Sequence, residues 1–174
     1  MTVRLREAAA GDLERIRVVE IEAGSLFRAV GLGSIADGDP PSVEWLAARL
    51  AHGSLWVAEL DGAVVGYAAA SVVDGEGHLD QVSVAPGAQR RGIGRRLVEQ
   101  VCRWAANHGR DSVTLTTFRD VPWNGPYYER LGFVALTEGE CGPELLAIRQ
   151  AERDAGIDVA PRLAMRRHLP PGSS

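Results

Sequence analysis

The chain has 174 residues, of which 45% are hydrophobic and 24% are charged, and its formal net charge is -4 at pH 7. This length and composition are typical of one soluble globular domain, and the negative balance excludes a general nucleic-acid binder. Two cysteines, Cys102 and Cys141, make neither a disulfide framework nor a zinc site, and the longest apolar run, residues 63–73, is shorter than the about 20 residues of a membrane span. Because no apolar signal segment opens the chain, we expect a cytoplasmic protein without a membrane partner.

The first half of the sequence predicts two helices and a series of strands connected by tight turns. Asp12 and Ser42 are the predicted N-caps of the two helices, and the first helix ends near Gly24. Glycines and prolines in residues 24–41 predict loop and broken helix. An Asp-Gly pair separates the second strand from the third, and another separates the third from the fourth, which predicts hairpins. The predicted strands cover residues 2–8, 54–60, 63–73 and 78–84.

The second half predicts alternating strands and helices. A helix of about four turns begins near Ile93, a short one follows Asn124, and a third covers residues 143–155. The remaining predicted strands cover residues 112–118, 133–136 and 162–168. This order of elements predicts an α/β or α+β fold with a mixed sheet, in one domain over residues 1–169, followed by a disordered tail at 170–174.

The most informative segment is VAPGAQRRGIGRRL, residues 84–97, where a predicted strand ends and a helix begins. Four arginines surround two glycines there. A helix N-terminus exposes unpaired backbone N–H groups and partial positive charge, and glycine lets a ligand approach the backbone, so the segment favours a phosphate or pyrophosphate site. It matches neither a Walker loop nor the dinucleotide fingerprint. A solvated basic helix start is the alternative interpretation.

Two motifs in this region extend the interpretation. Residues 89–94, QRRGIG, resemble the Gln/Arg-x-x-Gly-x-Gly/Ala signature of GNAT-type N-acetyltransferases, and a strand ending Val-Ser-Val-x-Pro precedes them as in that family. About 35 residues later, YYERLGF at 127–133 resembles the second family signature, a tyrosine on a short helix before Leu-Gly-Phe. The resemblance implies a single-domain fold with a central mixed, largely antiparallel sheet flanked by helices. Here an extra helix, residues 143–155, lies between the last two strands.

The resemblance also implies acetyl-CoA as the acyl donor, without a metal ion. Backbone groups of residues 82–84 would hold the pantetheine arm and the acetyl carbonyl, and the loop before the helix would hold the pyrophosphate. Many relatives have an asparagine about seven residues before the tyrosine, where this chain has Val121, so Asn124 is a weaker match and a helix cap is its alternative role. The implied cofactor-binding residues are Val82, Ser83, Val84, Gln89, Arg90, Arg91, Gly92, Ile93, Gly94, Arg95 and Asn124.

Acetyl transfer to an amine needs a base for the ammonium, polarisation of the thioester carbonyl and an acid for the leaving thiolate. By resemblance Tyr128 is the acid, and a core aromatic is its alternative role. His78 and Asp80 are the candidate base and its partner, because strand alternation places them on one face with Val82 and Val84, and histidine titrates near neutral pH. The alternatives are a hydrogen-bonded strand histidine and a salt-bridged aspartate.

The acceptor is expected to bind near residues 20–41, which line the acceptor side in relatives. Two glutamates there would attract a cationic amine, although a solvated helix face is the commoner arrangement. The candidate substrate-binding residues, there and beside the second motif, are Glu20, Glu22, Phe27, Arg28 and Trp123. A small-molecule amine is the expected partner, while metabolite, antibiotic, polyamine and protein N-terminus stay open. The helix 143–155 would cover the acceptor site, support a homodimer, or close the sheet.

Together these features predict an acetyl-CoA-dependent N-acetyltransferase that acts by direct transfer in a ternary complex. One rival class is a non-catalytic acyl-CoA-binding or regulatory module on the same fold, against which Tyr128 and the polar pair His78 and Asp80 argue. The other is a nucleic-acid-binding protein, against which the net charge and the lack of interleaved aromatic residues argue. A longer donor, such as succinyl- or propionyl-CoA, stays open.

Overall fold

The computed structural model describes residues 1–171, and the last three residues of the predicted tail at 170–174 lie outside the described residues. The chain divides into two compact units. The first comprises residues 1–71 and 79–101, and the second comprises residues 72–78 and the chain from Cys102 onward.

The first unit contains the strands and helices predicted from the first half of the sequence, together with the start of the helix predicted near Ile93. Its strands pair in the order β1-β2-β3-β4, and β1 and β2 are antiparallel, as are β2 and β3. The last three of its elements continue into the second unit. The elements are β1 (Val3–Glu7), α1 (Leu13–Gly24), α2 (Gly33–Ala36), α3 (Val43–Ala51), β2 (Leu55–Leu60), β3 (Ala63–Val73), β4 (Glu76–Val84) and α4 (Ile93–Asn107).

The core of the first unit lies between helices α1 and α3 and one face of β2 and β3. Leu13, Ile16 and Val19 recur every three residues along α1, so they form one buried stripe. They pack with Leu46 of α3 against alternate residues of the strands. Burying each such side chain contributes about 1.5–3 kcal/mol, so this face fixes both helices on the strands.

The second unit adds the remaining strands in the order β4-β5-β7-β6. β4 pairs with β5 in parallel, through Gly77 with Val113 and His78 with Thr114, whereas β7 is antiparallel to both β5 and β6. The added elements are β5 (Ser112–Phe118), α5 (Gly125–Arg130), β6 (Val134–Ala135), α6 (Pro143–Asp154) and β7 (Arg162–His168). The predicted α/β class, the mixed and mostly antiparallel pairing and the helix between the last two strands are therefore confirmed.

Of the three predicted helix caps, one forms as expected and two do not. The Ser42 hydroxyl accepts a hydrogen bond from the Trp45 backbone N–H at 3.1 Å. Asp12 lies at the N-cap position of α1, but its carboxylate accepts from Arg6 and from the Ala9 backbone N–H instead of the helix. Asn124 precedes α5 without a side-chain cap: its Oδ1, the atom that would accept from the helix, receives no hydrogen bond from any described residue, while its Nδ2 donates to the Trp123 carbonyl at 3.1 Å.

Helix α6 is capped by a residue about 70 positions earlier in the chain. Asp74, in the turn between β3 and β4, accepts hydrogen bonds from the backbone N–H groups of Glu144 and Leu145, each at 2.9 Å. In return the Glu144 carboxylate accepts from the Asp74 N–H. A Cβ on Gly142 would lie 2.3 Å from the Asp74 carboxyl carbon, so this approach requires glycine. These bonds tie the start of α6 to the β3–β4 turn.

Replacing Asp74 by alanine tests this long-range cap. Asp74→Ala leaves two backbone donors of α6 without their acceptor, so we expect the free energy of unfolding to fall by about 1–2 kcal/mol. Urea denaturation measures it, with Asp39→Ala, at an exposed carboxylate of the first unit, as the control. Equal unfolding free energies for Asp74→Ala and the wild type would contradict the capping role.

Candidate active site

The loop from Gln89 to Gly92 leads into the first turn of α4 and has the geometry of an anion site. Residues 89–92 are exposed, as are Arg95 and Arg96 in the first turn of the helix. The first N–H groups of a helix have no partner within it and carry partial positive charge. Exposed arginines therefore flank a helix start with unpaired backbone donors, a combination that suits an anion such as pyrophosphate.

Two residues of this loop have left-handed backbone conformations. The φ angle is 62° at Arg90 and 73° at Gly92. For a residue other than glycine this conformation costs about 1–2 kcal/mol, and residues held in it are concentrated at functional sites. Alternation of right- and left-handed residues turns neighbouring N–H groups toward one side, where they form a concave anion-binding surface. A Cβ at Gly92 would meet no neighbouring atom, so the glycine serves the backbone conformation.

Strand β4, which leads to this loop, departs from regular alternation. Asp80 contacts Arg49 of α3, whereas the next residue, Gln81, contacts Glu20 of α1. Both helices pack on the same face of β2 and β3, so adjacent residues of β4 point to one side. The predicted common face of His78, Asp80, Val82 and Val84 is therefore wrong beyond Asp80, because alternation resumes from Gln81 with the opposite phase.

Glu20 is the centre of a cluster that joins α1 to two strands. Its carboxylate accepts hydrogen bonds from the Tyr67 hydroxyl at 2.9 Å, the Gln81 amide at 2.8 Å and the Ser83 hydroxyl at 2.5 Å. Burial raises the pKa of Glu20, and the three hydrogen bonds partly offset this by stabilising the anion. The pKa of Tyr67 is raised well above its ordinary value, first by burial and then by the charge of Glu20.

Asp80 is committed to two side chains of the first unit. Its carboxylate accepts from the Arg49 guanidinium at 3.2 Å and from the Ser71 hydroxyl at 2.9 Å. Arg49 in turn stacks 4.0 Å above the centre of the Trp45 ring. A carboxylate held in this way orients its neighbours and supplies negative charge, and it matches the salt-bridged alternative foreseen for Asp80.

The other predicted catalytic residues belong to the second unit. His78 is 4% exposed, and its Nδ1 lies 2.8 Å from the Thr114 hydroxyl on β5. Tyr128 on α5 is 8% exposed, and its ring packs edge-on against those of Tyr127 and Phe133, at centroid distances of 5.5 and 5.8 Å. Burial therefore holds both side chains in fixed orientations.

Asn124 presents an unsatisfied acceptor in the same unit. Its Oδ1 is buried and receives no hydrogen bond from any described residue. The residue lies at the start of α5, where Gly125 approaches the backbone of Arg119 closely. Because unpaired buried acceptors are uncommon, this oxygen is suited to accept an N–H from a bound molecule.

The remaining predicted acceptor residues have separate surroundings. Glu22 forms an ion pair with Arg15 at 3.2 Å, and Arg28 forms one with Asp37. Phe27 in the first unit and Trp123 in the second are partly buried. Glu22 also lines an open cavity of about 390 Å³ in the first unit, whose other walls are Ser25, Leu60, Val65, Ala85, Pro86, Gly87 and Ala88.

Five site residues were not found in the sequence: Arg49, Tyr67, Ser71, Gln81 and Thr114. Tyr67 carries a hydroxyl in a mostly apolar strand, which is a usable signal because a buried tyrosine hydroxyl normally has a partner. Gln81 was missed because regular alternation assigned it to the other face. Within residues 1–171 no cluster of side chains suits a metal ion, and no helix is long and apolar enough to cross a membrane.

Comparison with known proteins places these features in a family context. Residues 20–133 match the Acetyltransferase (GNAT) family. The chain is 30% identical over 162 residues to a mycothiol acetyltransferase of Geodermatophilus obscurus, a match that covers 88% of this chain and 48% of that protein. The chain thus spans about half the length of this curated relative.

Solved structures show the same fold at low sequence identity. A GNAT-family acetyltransferase of Staphylococcus aureus has a TM-score of 0.74 at 16% identity and covers 97% of this chain and 100% of its own. The PaiA N-acetyltransferase of Thermoplasma acidophilum, solved with coenzyme A, has a TM-score of 0.72 at 16% identity, with the same coverage of 97% and 100%. These likenesses confirm the fold that the two sequence motifs implied.

The raised pKa of Glu20 predicts a pH dependence of stability with a defined sign. Above the pKa of the unfolded chain and below the higher pKa of the folded one, the folded protein holds a proton that the unfolded chain has lost. The free energy of unfolding therefore falls as the pH rises through this window. Glu20→Gln lacks this contribution, so we expect the variant to gain stability relative to the wild type above about pH 4.3.

Urea denaturation of both proteins between about pH 4 and about pH 7 measures this difference. Comparing the two proteins at each pH cancels the titration of the other carboxylates. A difference in unfolding free energy that does not vary with pH would show that the pKa of Glu20 is not raised by folding.

Proposed function

Because the chain belongs to the acetyltransferase (GNAT) family, we propose that it transfers an acetyl group from acetyl-CoA to a primary amine, by direct attack in a ternary complex. The observation that carries this proposal is the exposed loop 89–92 at the start of α4, with its left-handed Arg90 and Gly92. The family match supports the reaction class, and the loop supports the donor. Acetyl-CoA supplies an activated thioester. The chain's own residues would bind the donor, orient its acetyl group and protonate the departing sulfur.

Three sets of residues would hold the donor. Backbone N–H groups of Gln89 to Arg95 bind the pyrophosphate, and the arginine side chains add positive charge around it. Backbone groups of Val82, Ser83 and Val84 bind the pantetheine arm and polarise the acetyl carbonyl. The buried Oδ1 of Asn124 accepts an amide N–H of the arm, which would satisfy an acceptor that the described residues leave unpaired.

Tyr128 is the proposed acid that protonates the departing sulfur. Its low exposure and its packing between two aromatic rings support a fixed hydroxyl. His78 is the proposed base, and its Nδ1 contact with the Thr114 hydroxyl supports a fixed orientation of the imidazole ring. Asp80 is assigned an electrostatic role, because Arg49 and Ser71 already occupy its carboxylate.

The proposed acceptor is a small molecule with a primary amine. The name of the Geodermatophilus relative, a mycothiol acetyltransferase, supports a small-molecule acceptor. Glu22, which lines the open cavity, would favour a cationic group, and the exposed Arg28 would favour a carboxylate. Phe27 and Trp123 would supply apolar contacts. A cytoplasmic location and a homodimer stay predictions.

Charge reversal in the loop tests donor binding. Arg91→Glu and Gly92→Glu each place a negative charge beside the proposed pyrophosphate site, so we expect the Kd for acetyl-CoA to rise at least about tenfold. Isothermal calorimetry with acetyl-CoA and with free CoA measures both affinities. Arg4→Glu, an exposed charge reversal in β1, is the control and should leave the affinity unchanged. A wild type that binds neither ligand would contradict the proposed donor.

Removing one hydroxyl tests the proposed acid. We expect Tyr128→Phe to lower kcat by about 10²–10⁴-fold, because general acid catalysis contributes a factor of this size, with little change in the Kd for acetyl-CoA. Thiol release with the best acceptor from an amine panel measures turnover. Tyr127→Phe on the same helix is the matched control. Equal turnover of Tyr128→Phe and the wild type would remove Tyr128 from the mechanism, and binding without turnover of any amine would favour the non-catalytic module.

A further inference from the structure

The Glu20 carboxylate bonds both sides of the β4 segment that is proposed to hold the acetyl group. Gln81 and Ser83 flank Val82, and both side chains donate to this one carboxylate, at 2.8 and 2.5 Å. We propose that Glu20 is a positioning residue for the acetyl donor, which fixes residues 81–83 so that their backbone groups meet the acetyl carbonyl. This inference rests on the proposed function, because it assumes that the segment binds acetyl-CoA.

The geometry of the cluster is that of a clamp with three attachments. Two of them lie on β4, two residues apart, so they restrain the position and the rotation of the peptide groups between them. The third attachment, the Tyr67 hydroxyl on the neighbouring strand β3, holds the carboxylate itself at 2.9 Å. Helix α1 is in turn fixed by the buried Ile16 and Val19. The clamp thus connects β4 to a rigid part of the first unit.

The clamp lies where β4 most needs support. Alternation breaks between Asp80 and Gln81, and strands lose regular ladder bonds where extra residues interrupt the pattern. On the preceding side of the break, Asp80 is anchored by Arg49 and Ser71. On the following side, Gln81 and Ser83 are anchored by Glu20. Side-chain bonds therefore hold both sides of the irregular point.

The charge of Glu20 supports a role in positioning over a role in stability. No ion pair among the described residues 1–171 includes Glu20, and its partners are three neutral donors. A buried charge without a cation costs free energy that a well-packed apolar side chain would avoid. What the carboxylate adds is orientation, because it accepts several bonds in a defined geometry.

The same bonds argue against the predicted role of Glu20 in binding the amine. Oε2 accepts from both Tyr67 and Ser83, and Oε1 accepts from Gln81. An approaching ammonium would have to compete with these donors for the carboxylate lone pairs. Glu22, two residues later and exposed to the open cavity, is free of this competition from β3 and β4.

Placement of a reacting group has to be accurate to about 0.5 Å, so loss of the clamp should affect the acetyl group more than the rest of the donor. The pyrophosphate is held by the loop 89–95, which Glu20 does not contact. Variants at Glu20 should therefore keep their affinity for free CoA while they change the environment of the acetyl carbonyl. If Glu20 only stabilised the fold, its loss would not change the environment of the acetyl carbonyl while leaving the affinity for free CoA unchanged.

Hydrogen exchange of the protein without ligand tests the clamp directly. In Glu20→Ala we expect the backbone amides of residues 81–84 to exchange about tenfold faster relative to those of β5, because two side-chain bonds to the segment are lost. Ser83→Ala keeps the carboxylate and should give a smaller increase. Glu14→Gln, at an exposed carboxylate on the same helix, is the matched control. Unchanged relative exchange in Glu20→Ala would overturn the clamp.

Carbon-13 resonance of bound acetyl-CoA labelled at the acetyl carbonyl tests the consequence. We expect the carbonyl signal in the wild type to shift on binding, and in Glu20→Gln and Ser83→Ala to lie closer to the free value. The Kd of free CoA should change by less than about threefold in both variants, because the phosphate contacts are kept. A carbonyl signal that is the same in the wild type and both variants would overturn the positioning role.

The two experiments separate the inference from the proposed function. If the wild type binds no acetyl-CoA, the proposed donor fails, and with it the role of Glu20 toward the acetyl group, whatever the exchange rates show. If the wild type binds acetyl-CoA and the variants match it in both measurements, the proposed function stands and the inference fails. Because Glu20→Gln and Ser83→Ala change few atoms, they keep the test valid if Glu20→Ala does not fold.

Discussion

The interruption of β4 between Asp80 and Gln81 is the constraint on which the first unit's site depends. A regular strand would send these neighbours to opposite faces. Here both residues contact helices that pack on the same face of the sheet, and Ser83 also points to that face. The break changes which backbone groups of the segment remain for a ligand. Helices α1 and α3 therefore do more than bury the core, because each bonds the residues on one side of the break.

Two carboxylates, the buried Glu152 and the half-buried Glu20, show how differently the fold uses negative charge. Glu152 on α6 bonds two arginines, Arg149 and Arg162, together with the Thr116 hydroxyl. Its charge is balanced locally, and it joins α6 to β5 and β7. Glu20 has only neutral donors among its described partners. The arrangement around Glu152 holds elements of the second unit together. The arrangement around Glu20 instead keeps a charge without a cationic partner beside the segment proposed to bind the donor.

Signals that are local in sequence predicted most of the elements. The apolar period of α1 and the hairpin Asp-Gly pairs were sufficient, because each feature arises from residues close together in the chain. The two sequence motifs identified the family to which the fold belongs. The cap at Asp12 failed because Arg6 and the Ala9 N–H bind the carboxylate that local rules assigned to the helix. The cap at Asn124 is absent although no described residue bonds its Oδ1.

The candidate site was harder to predict than the fold, because its contacts join distant parts of the chain. Glu20 lies 47 residues before Tyr67 and 63 before Ser83. Nothing in a local window connects them. The break in β4 also reversed the face that regular alternation assigned to each residue from Gln81 onward. A single irregularity in the strand therefore made the predicted orientation of several side chains wrong.

The loop and the clamp respond differently to the surroundings of the protein. A net charge of -4 does not prevent the loop from binding an anion, because exposed charges beyond about 8 Å are screened at physiological ionic strength. Arginine side chains are always charged in proteins, and backbone dipoles carry no titratable group. Glu20, whose pKa burial raises, does lose charge on acidification, and Tyr67 beside it stays neutral. The two proposals together therefore predict that acidification affects the placement of the acetyl group before it affects the binding of the phosphates.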